Sequence, residues 1–169
     1  MNNPDKIIIH HTLVFQKGAK TQFFAVNRYH QSLQFTKSSL GYYCGYHWFI
    51  EPNGTKIRAR LDSDEGCHTI GQNNFSIGVC LAGDFNQEMP TGGQIKSLKE
   101  IIKEYNFNEI GFHRKYQANR TCPGVNLTDN WLLSLRSINE ETDKQEGIKK
   151  LISQLDFLKE LLLKLKGRC

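Results

Sequence analysis

Nowhere in its 169 residues does the sequence gather the ~18 consecutive apolar residues of a membrane-spanning helix. The polar start MNNPDK is followed by no apolar signal-peptide core, so the chain is expected to be made in, and at first to stay in, the cytoplasm. CxxC spacing is also missing. The five cysteines, Cys44, Cys67, Cys80, Cys122 and Cys169, form an odd set that argues against a disulfide framework and against a four-thiolate zinc clip. Cys80, inside the apolar run IGVCLAG, reads as a small buried hydrophobe, and Cys169 as an exposed thiol. The net charge of +5 is dispersed, without a Lys/Arg-rich cluster interleaved with aromatics, and gives no ground for nucleic acid as a partner. All but +1 of it lies on residues 1–138, which suits a loosely anionic polymer.

What is present is enough for a real core, with 38% hydrophobic residues. Lys6–His10 is a short apolar run that delivers His10 to a strand end. Within Thr21–Leu33, Phe24, Val26, Tyr29 and Leu33 fall on a helical stripe. Tyr46–Glu51 and Lys56–Arg60 flank Asn53-Gly54, the strongest short-range signal of a hairpin. Ser76–Ala82 is a further buried strand, and Thr91–Tyr105, with Thr91 as cap and Ile95, Leu98, Ile101, Ile102 and Tyr105 on one face, is an amphipathic helix. Glu109–Phe112 reads as a last strand, carrying His113 at its end. The expected fold is α/β, a central mixed β-sheet flanked by helices.

Three short pieces carry metal chemistry: IIIHHT at 7–12, GFHR at 111–114 and TCPG at 121–124. Two imidazoles and a thiolate are good zinc ligands, and three protein ligands leave a fourth tetrahedral position for water. An open position separates a catalyst from a structural clip, so the pattern predicts a zinc hydrolase acting on an amide or ester.

In this order, IIIHHT, CGYHWFIEPNGT, CHTIGQNNFSIGVCLAGDF and the GFHR…TCPG pair resemble the zinc-dependent N-acetylmuramoyl-L-alanine amidases of the peptidoglycan-recognition-protein fold, phage amidase endolysins in particular. The resemblance spans roughly residues 5–136. It implies hydrolysis of the amide between the lactyl group of N-acetylmuramic acid and the L-alanine of the stem peptide, with peptidoglycan as partner and Zn2+ as cofactor. The implied zinc ligands are His10, His113 and Cys122, with His11 the competing choice for the first. The spacing from His113 to Cys122 is one residue longer than the family usually has. Tyr46 matches a tyrosine whose hydroxyl points at the zinc-bound water or the scissile carbonyl. Arg120 stands where phage amidases carry a lysine, and a cation there can stabilise an oxyanion. His68 and Asn73 match residues that line the substrate groove and hydrogen-bond the muramyl-peptide. His30 and His47 read as packed, hydrogen-bonded histidines. The general base and the groups that orient the ligands are not legible. The alternative implied by the same resemblance is a module that binds peptidoglycan without cutting it. Release to the wall through a holin-made lesion fits an enzyme of this kind.

Polar residues 139–145, NEETDKQ, are expected to end a catalytic domain of residues 1–138 and to begin a linker and C-terminal amphipathic helix over 139–169. Ile148, Leu151, Leu155, Leu158, Leu162 and Leu165 recur in alternating steps of three and four, a coiled-coil a/d seam. Three uses are open: homo-oligomerisation through residues 146–166, docking on the chain's own domain, or, least expected, membrane contact.

Overall fold

The computed structural model describes the backbone of residues 2–16, 21–117 and 119–166, and the side chains of all of these except 136–146 and 160–166. The expectations for Cys169 and for the seam positions Leu162 and Leu165 lie outside the described residues. Five strands form one mixed sheet: β1 (Lys6–His11), β2 (Trp48–Ile50), β3 (Lys56–Arg58), β4 (Ser76–Leu81) and β5 (Glu109–Phe112), in the order β3-β2-β4-β1-β5. The helices are α1 (Phe23–Ser32), α2 (Gly92–Tyr105), the single turn α3 (His113–Tyr116) and α4 (Asp129–Lys166).

The β-branched run Ile7-Ile8-Ile9 is fully buried, as a strand covered on both faces must be. β1 is flanked by parallel partners, β4 with His10 opposite Cys80 and β5 with Ile9 opposite Phe112. That second register has a direct consequence: the residues that follow, His10 and His113, leave adjacent strands at the same level, and their ring centroids lie 4.6 Å apart. β2 and β3 form the expected antiparallel hairpin, with Gly54 at φ +88° in its turn.

The start of α2 is fixed by a capping box in which Thr91 and Gln94 satisfy each other's backbone N–H. The start of α1 is fixed by a distant residue, since the buried Glu51 carboxylate accepts from the N–H groups of Gln22 and Phe23 at 2.9–3.0 Å. A carboxylate at a helix N-terminus both satisfies orphan donors and complements the helix dipole.

The inward face of α1 differs from the apolar stripe expected for it. Phe24, Tyr29 and Leu33 are exposed, whereas Phe23 and His30 are buried. Asn27 and His30 belong to the inward face because they are donor-matched: Asn27 Oδ1 accepts from the N–H of Tyr43 and Cys44, and His30 Nδ1 from that of Gly45. Hydrophobicity alone assigns such polar residues outward and rotates the predicted face.

Internal contacts divide the chain between Leu132 and Leu133. The polar stretch 139–145 is helical, as part of α4, and is not an interrupting linker. Its Glu, Lys and Gln residues are good helix formers, so polarity there does not break the backbone. Thr128 caps α4 by accepting from the Trp131 N–H at 3.2 Å. Further along, Ile148, Leu151, Leu155 and Leu158 are all more than half exposed. No helix among the described residues is long and apolar enough to cross a membrane.

Candidate metal centre

Strand register supplies two of the three expected ligands, and a clamped loop supplies the third. His10 is the penultimate residue of β1, and His113 opens α3 directly after β5. Cys122 lies in the loop leading to α4, which Arg114 pins from three sides. The Arg114 N–H donates to the Cys122 carbonyl at 2.9 Å, Nη1 to that of Gly124 at 2.9 Å, and Nη2 to that of Leu127. The same guanidinium lies 4.4 Å over the Phe112 ring. Gly124, at φ +115°, lets the loop press on Phe85, whose carbonyl carbon would be 2.3 Å from any added Cβ.

The donor atoms of His10, His113 and Cys122 lie within 4.8 Å of one another, the one such grouping of three among the described residues. His11 faces away, stacked on Phe85 with Nδ1 accepting from the Phe85 N–H, as alternation along a strand requires. Each metal-facing imidazole has its remote nitrogen engaged. His10 Nε2 is 3.1 Å from His68 Nδ1 and 3.3 Å from Thr69 Oγ1, and His113 Nε2 is 3.0 Å from Gln117 Oε1. Nδ1 is thereby left for an ion on both rings. Cys122 Sγ lies 3.7 Å from His10 Nδ1. Tetrahedral zinc, with bonds of about 2.0 Å to nitrogen and 2.3 Å to sulfur, requires about 3.5 Å between those atoms. The donor set and its spacing therefore fit zinc.

The electrostatics agree with a site prepared for a cation. Burial, reinforced by His68 and His113, holds His10 well below the usual histidine range, and burial also lowers His113. Both rings are neutral at neutral pH, the state that ligates. Burial pushes the Cys122 thiol up to about 11, against the opposing pull of the His11 backbone N–H and of Arg114 and Arg120. Its conversion to thiolate at neutral pH calls for a metal ion beside it.

Tyr46 stands beside these ligands, its ring centroid 5.0 Å from that of His10 and 5.5 Å from that of His30. Burial, with smaller contributions from Cys80 and Cys122, keeps its phenol protonated well above the ordinary range, and the hydroxyl donates to the Cys80 sulfur. Arg120 is exposed and lines an open cavity of about 400 Å³ together with Arg114, Thr121, Val125, Thr128 and Asp129. Its charge acts on both His113 and Cys122.

His68 and Asn73, expected as substrate contacts, are both engaged in hydrogen bonds within the protein. Both ring nitrogens of His68 are turned inward: Nδ1 meets His10 and Thr69, and Nε2 is buried on the side of the Ser76 carbonyl, with no hydrogen bond of good geometry among the described residues. Asn73 Oδ1 accepts from the N–H groups of His68 and Thr69 at 2.9 and 2.8 Å and so fastens the loop that carries them. His47 is fully buried, with Nδ1 accepting from the Gly78 N–H and Nε2 3.0 Å from the Asp64 carbonyl. Gln117, Thr69 and Arg114 were given no role from sequence, and Cys80 only that of a buried hydrophobe. Gln117 alone had a visible signal, four residues after a ligand and thus on the same side of a helical turn.

The description "N-acetylmuramoyl-L-alanine amidase" belongs to the family profile that matches residues 1–125. The endolysin of Escherichia phage T7 is 30% identical over 96 residues, which cover 52% of this chain and 63% of that protein. The chain thus spans less than two thirds of that relative. Peptidoglycan-recognition protein SC2 of Drosophila melanogaster is 27% identical over 135 residues, 71% of this chain and 68% of the relative. Among solved structures, the N-acetylmuramoyl-L-alanine amidase LysC from Clostridium intestinale URNW superposes with a TM-score of 0.68 at 26% identity, covering 82% of this chain and 87% of that one.

Proposed function

The chain belongs to the N-acetylmuramoyl-L-alanine amidase family, and from that membership we propose that it hydrolyses the amide between the lactyl group of N-acetylmuramic acid and the L-alanine of the peptidoglycan stem peptide. The observation that carries the reading is the convergence of His10, His113 and Cys122, with both Nδ1 atoms and one sulfur left for an ion. These three donors would hold zinc, which would supply polarisation of the scissile carbonyl and acidification of a water.

The chain's own residues supply the rest. Tyr46, kept protonated, can turn its O–H from Cys80 to the oxygen on which charge develops. Arg120 adds a cation on the Cys122 side of the site, beside the same developing charge. The departing alanine nitrogen takes its proton from Tyr46 or from water. Neutral His10 and His113 and the positive charges of Arg114 and Arg120 leave the thiolate as the one anionic donor, which keeps the centre electrophilic.

The likeness to phage endolysins supports an enzyme that is made in the cytoplasm and reaches the wall through a holin-made lesion. The exposed seam of α4 supports self-association of such enzymes on an insoluble substrate.

The test is mass spectrometry of purified peptidoglycan after incubation with the protein, with and without a zinc chelator. Free stem peptides beginning at L-alanine, lost on chelation and restored by zinc, are expected. Intact linkages with the protein sedimenting alongside the wall would replace the enzyme by a binding module.

A further inference from the structure

His68 reaches the centre from a loop, between β3 and β4, that contributes no ligand. Its ring is pressed into a slot made by two glycines: a Cβ on Gly66 or on Gly78 would come within 2.5 Å of His68 Cδ2. Neither contact leaves room for any side chain, so the slot fixes the plane of the ring. Asn73 fixes its height by gripping the His68 and Thr69 N–H groups, and Thr69 Oγ1 closes a triangle with His68 Nδ1 and His10 Nε2, at 3.1 and 3.3 Å.

The proton inventory of that triangle has one solution compatible with a metal. Coordination through His10 Nδ1 places the His10 proton on Nε2, which must donate. His68 Nδ1, 3.1 Å away, must then accept, and the His68 proton sits on Nε2. That nitrogen is buried on the side of the Ser76 carbonyl, short of good hydrogen-bond geometry.

We propose that His68 is the positioning residue for the metal ligand His10, fixing its tautomer and ring orientation through Nδ1. The groups behind metal-bound histidines are ordinarily carboxylates, carbonyls or waters. A neutral imidazole orients the ligand as they do while adding no negative charge behind the metal. The inference rests on the zinc reading of the site, but its test needs no peptidoglycan.

Zinc is titrated into the full-length apo-protein against a chromophoric chelator, for wild type, His68→Leu, His68→Asn and His68→Gln, with the melting of each apo-protein recorded alongside. Asparagine places its oxygen where Nδ1 lies; glutamine places it near Nε2. The expected result is a 10–100-fold loss of zinc affinity for leucine and glutamine, with the asparagine variant within a few-fold of wild type. Cobalt-loaded His68→Asn should keep the visible absorption of the wild-type cobalt protein. Should the leucine variant fold poorly, the asparagine–glutamine contrast and the cobalt spectrum still decide. Equal zinc affinity in all four proteins, with KM raised in the leucine variant, would overturn the inference and return His68 to the substrate groove. Failure of wild type to bind zinc would overturn it as well, whereas zinc binding without amide cleavage would count against the proposed reaction alone.

Discussion

Gln117 Oε1 accepts a hydrogen bond from His113 Nε2 at 3.0 Å, across the single helical turn that begins with His113 itself. This contact leaves Nδ1 facing His10 and Cys122. Gln117→Leu should lower zinc affinity about tenfold with little change in the melting of the apo-protein. Gln117→Glu, which keeps the acceptor, should hold the affinity close to wild type. Chelator competition measures both.

Arg114 holds the other side of the centre, through three carbonyls of the Cys122 loop and the face of Phe112. Arg114→Met strips the Gly124 and Leu127 carbonyls of their donors, keeps the backbone bond to Cys122, and retains much of the packing. It should weaken zinc binding at least tenfold and destabilise the protein by roughly 1–3 kcal/mol, the cost of leaving buried acceptors unsatisfied. Arg114→Lys keeps the charge without the fork and should fall between. Unchanged zinc affinity in the methionine variant would mean that the loop holds its shape without the clamp.

Tyr46→Phe removes the hydroxyl and leaves the ring. Its expected effect is a fall in kcat of about a hundredfold with zinc content unchanged, the range for loss of one oxyanion donor. Cys80→Ala, which removes the sulfur that accepts the Tyr46 O–H, should change kcat severalfold at most. Turnover of a soluble muramyl-peptide, together with metal analysis, separates chemistry from loading.

The buried histidines set an acid limit on stability. His30 and His47 are each lowered from 6.5 to about 4, chiefly by burial. The unfolded chain therefore takes up these protons first, so stability is complete above pH 6.5 and declines as pH falls towards 4. At the lower limit each histidine accounts for on the order of 3 kcal/mol. His30→Asn and His47→Asn keep an acceptor at the Nδ1 position and should flatten this dependence, as read from urea unfolding between pH 7 and 4. Parallel pH profiles for variants and wild type would assign the acid sensitivity elsewhere.

The seam of α4 is tested in the full chain. Leu155→Lys and Leu158→Lys together place two charges on exposed apolar positions. If those positions associate, wild type should show a concentration-dependent mass by light scattering that the double variant loses. A monomeric mass for both proteins at all concentrations would leave self-association without support.

The three candidate ligands were legible because zinc chemistry needs particular side chains, and strand ends announce where those side chains emerge. The residues behind them were not. Gln117 and His68 act through one rotamer and one ring nitrogen, and Thr69 through a hydroxyl whose neighbours are distant in sequence. The strands and their hairpin followed from buried runs and an Asn-Gly turn, but the facing of α1 did not, since Asn27 and His30 turn inward to meet backbone donors of a later loop. Residues 139–145 were misread for a related reason: polarity reports on solvent, while helix formation depends on backbone preference.

Cys122 and His10 are separated by 112 positions in the chain. A single ion joining them would act as a reversible cross-link, closing a loop nearly as long as the domain without any need for an oxidising compartment. Because the unfolded chain cannot present both donors together, free metal concentration should set the melting temperature by mass action. The ion would then serve as the fastener of the very domain whose chemistry it supports, and depleting it would loosen both together.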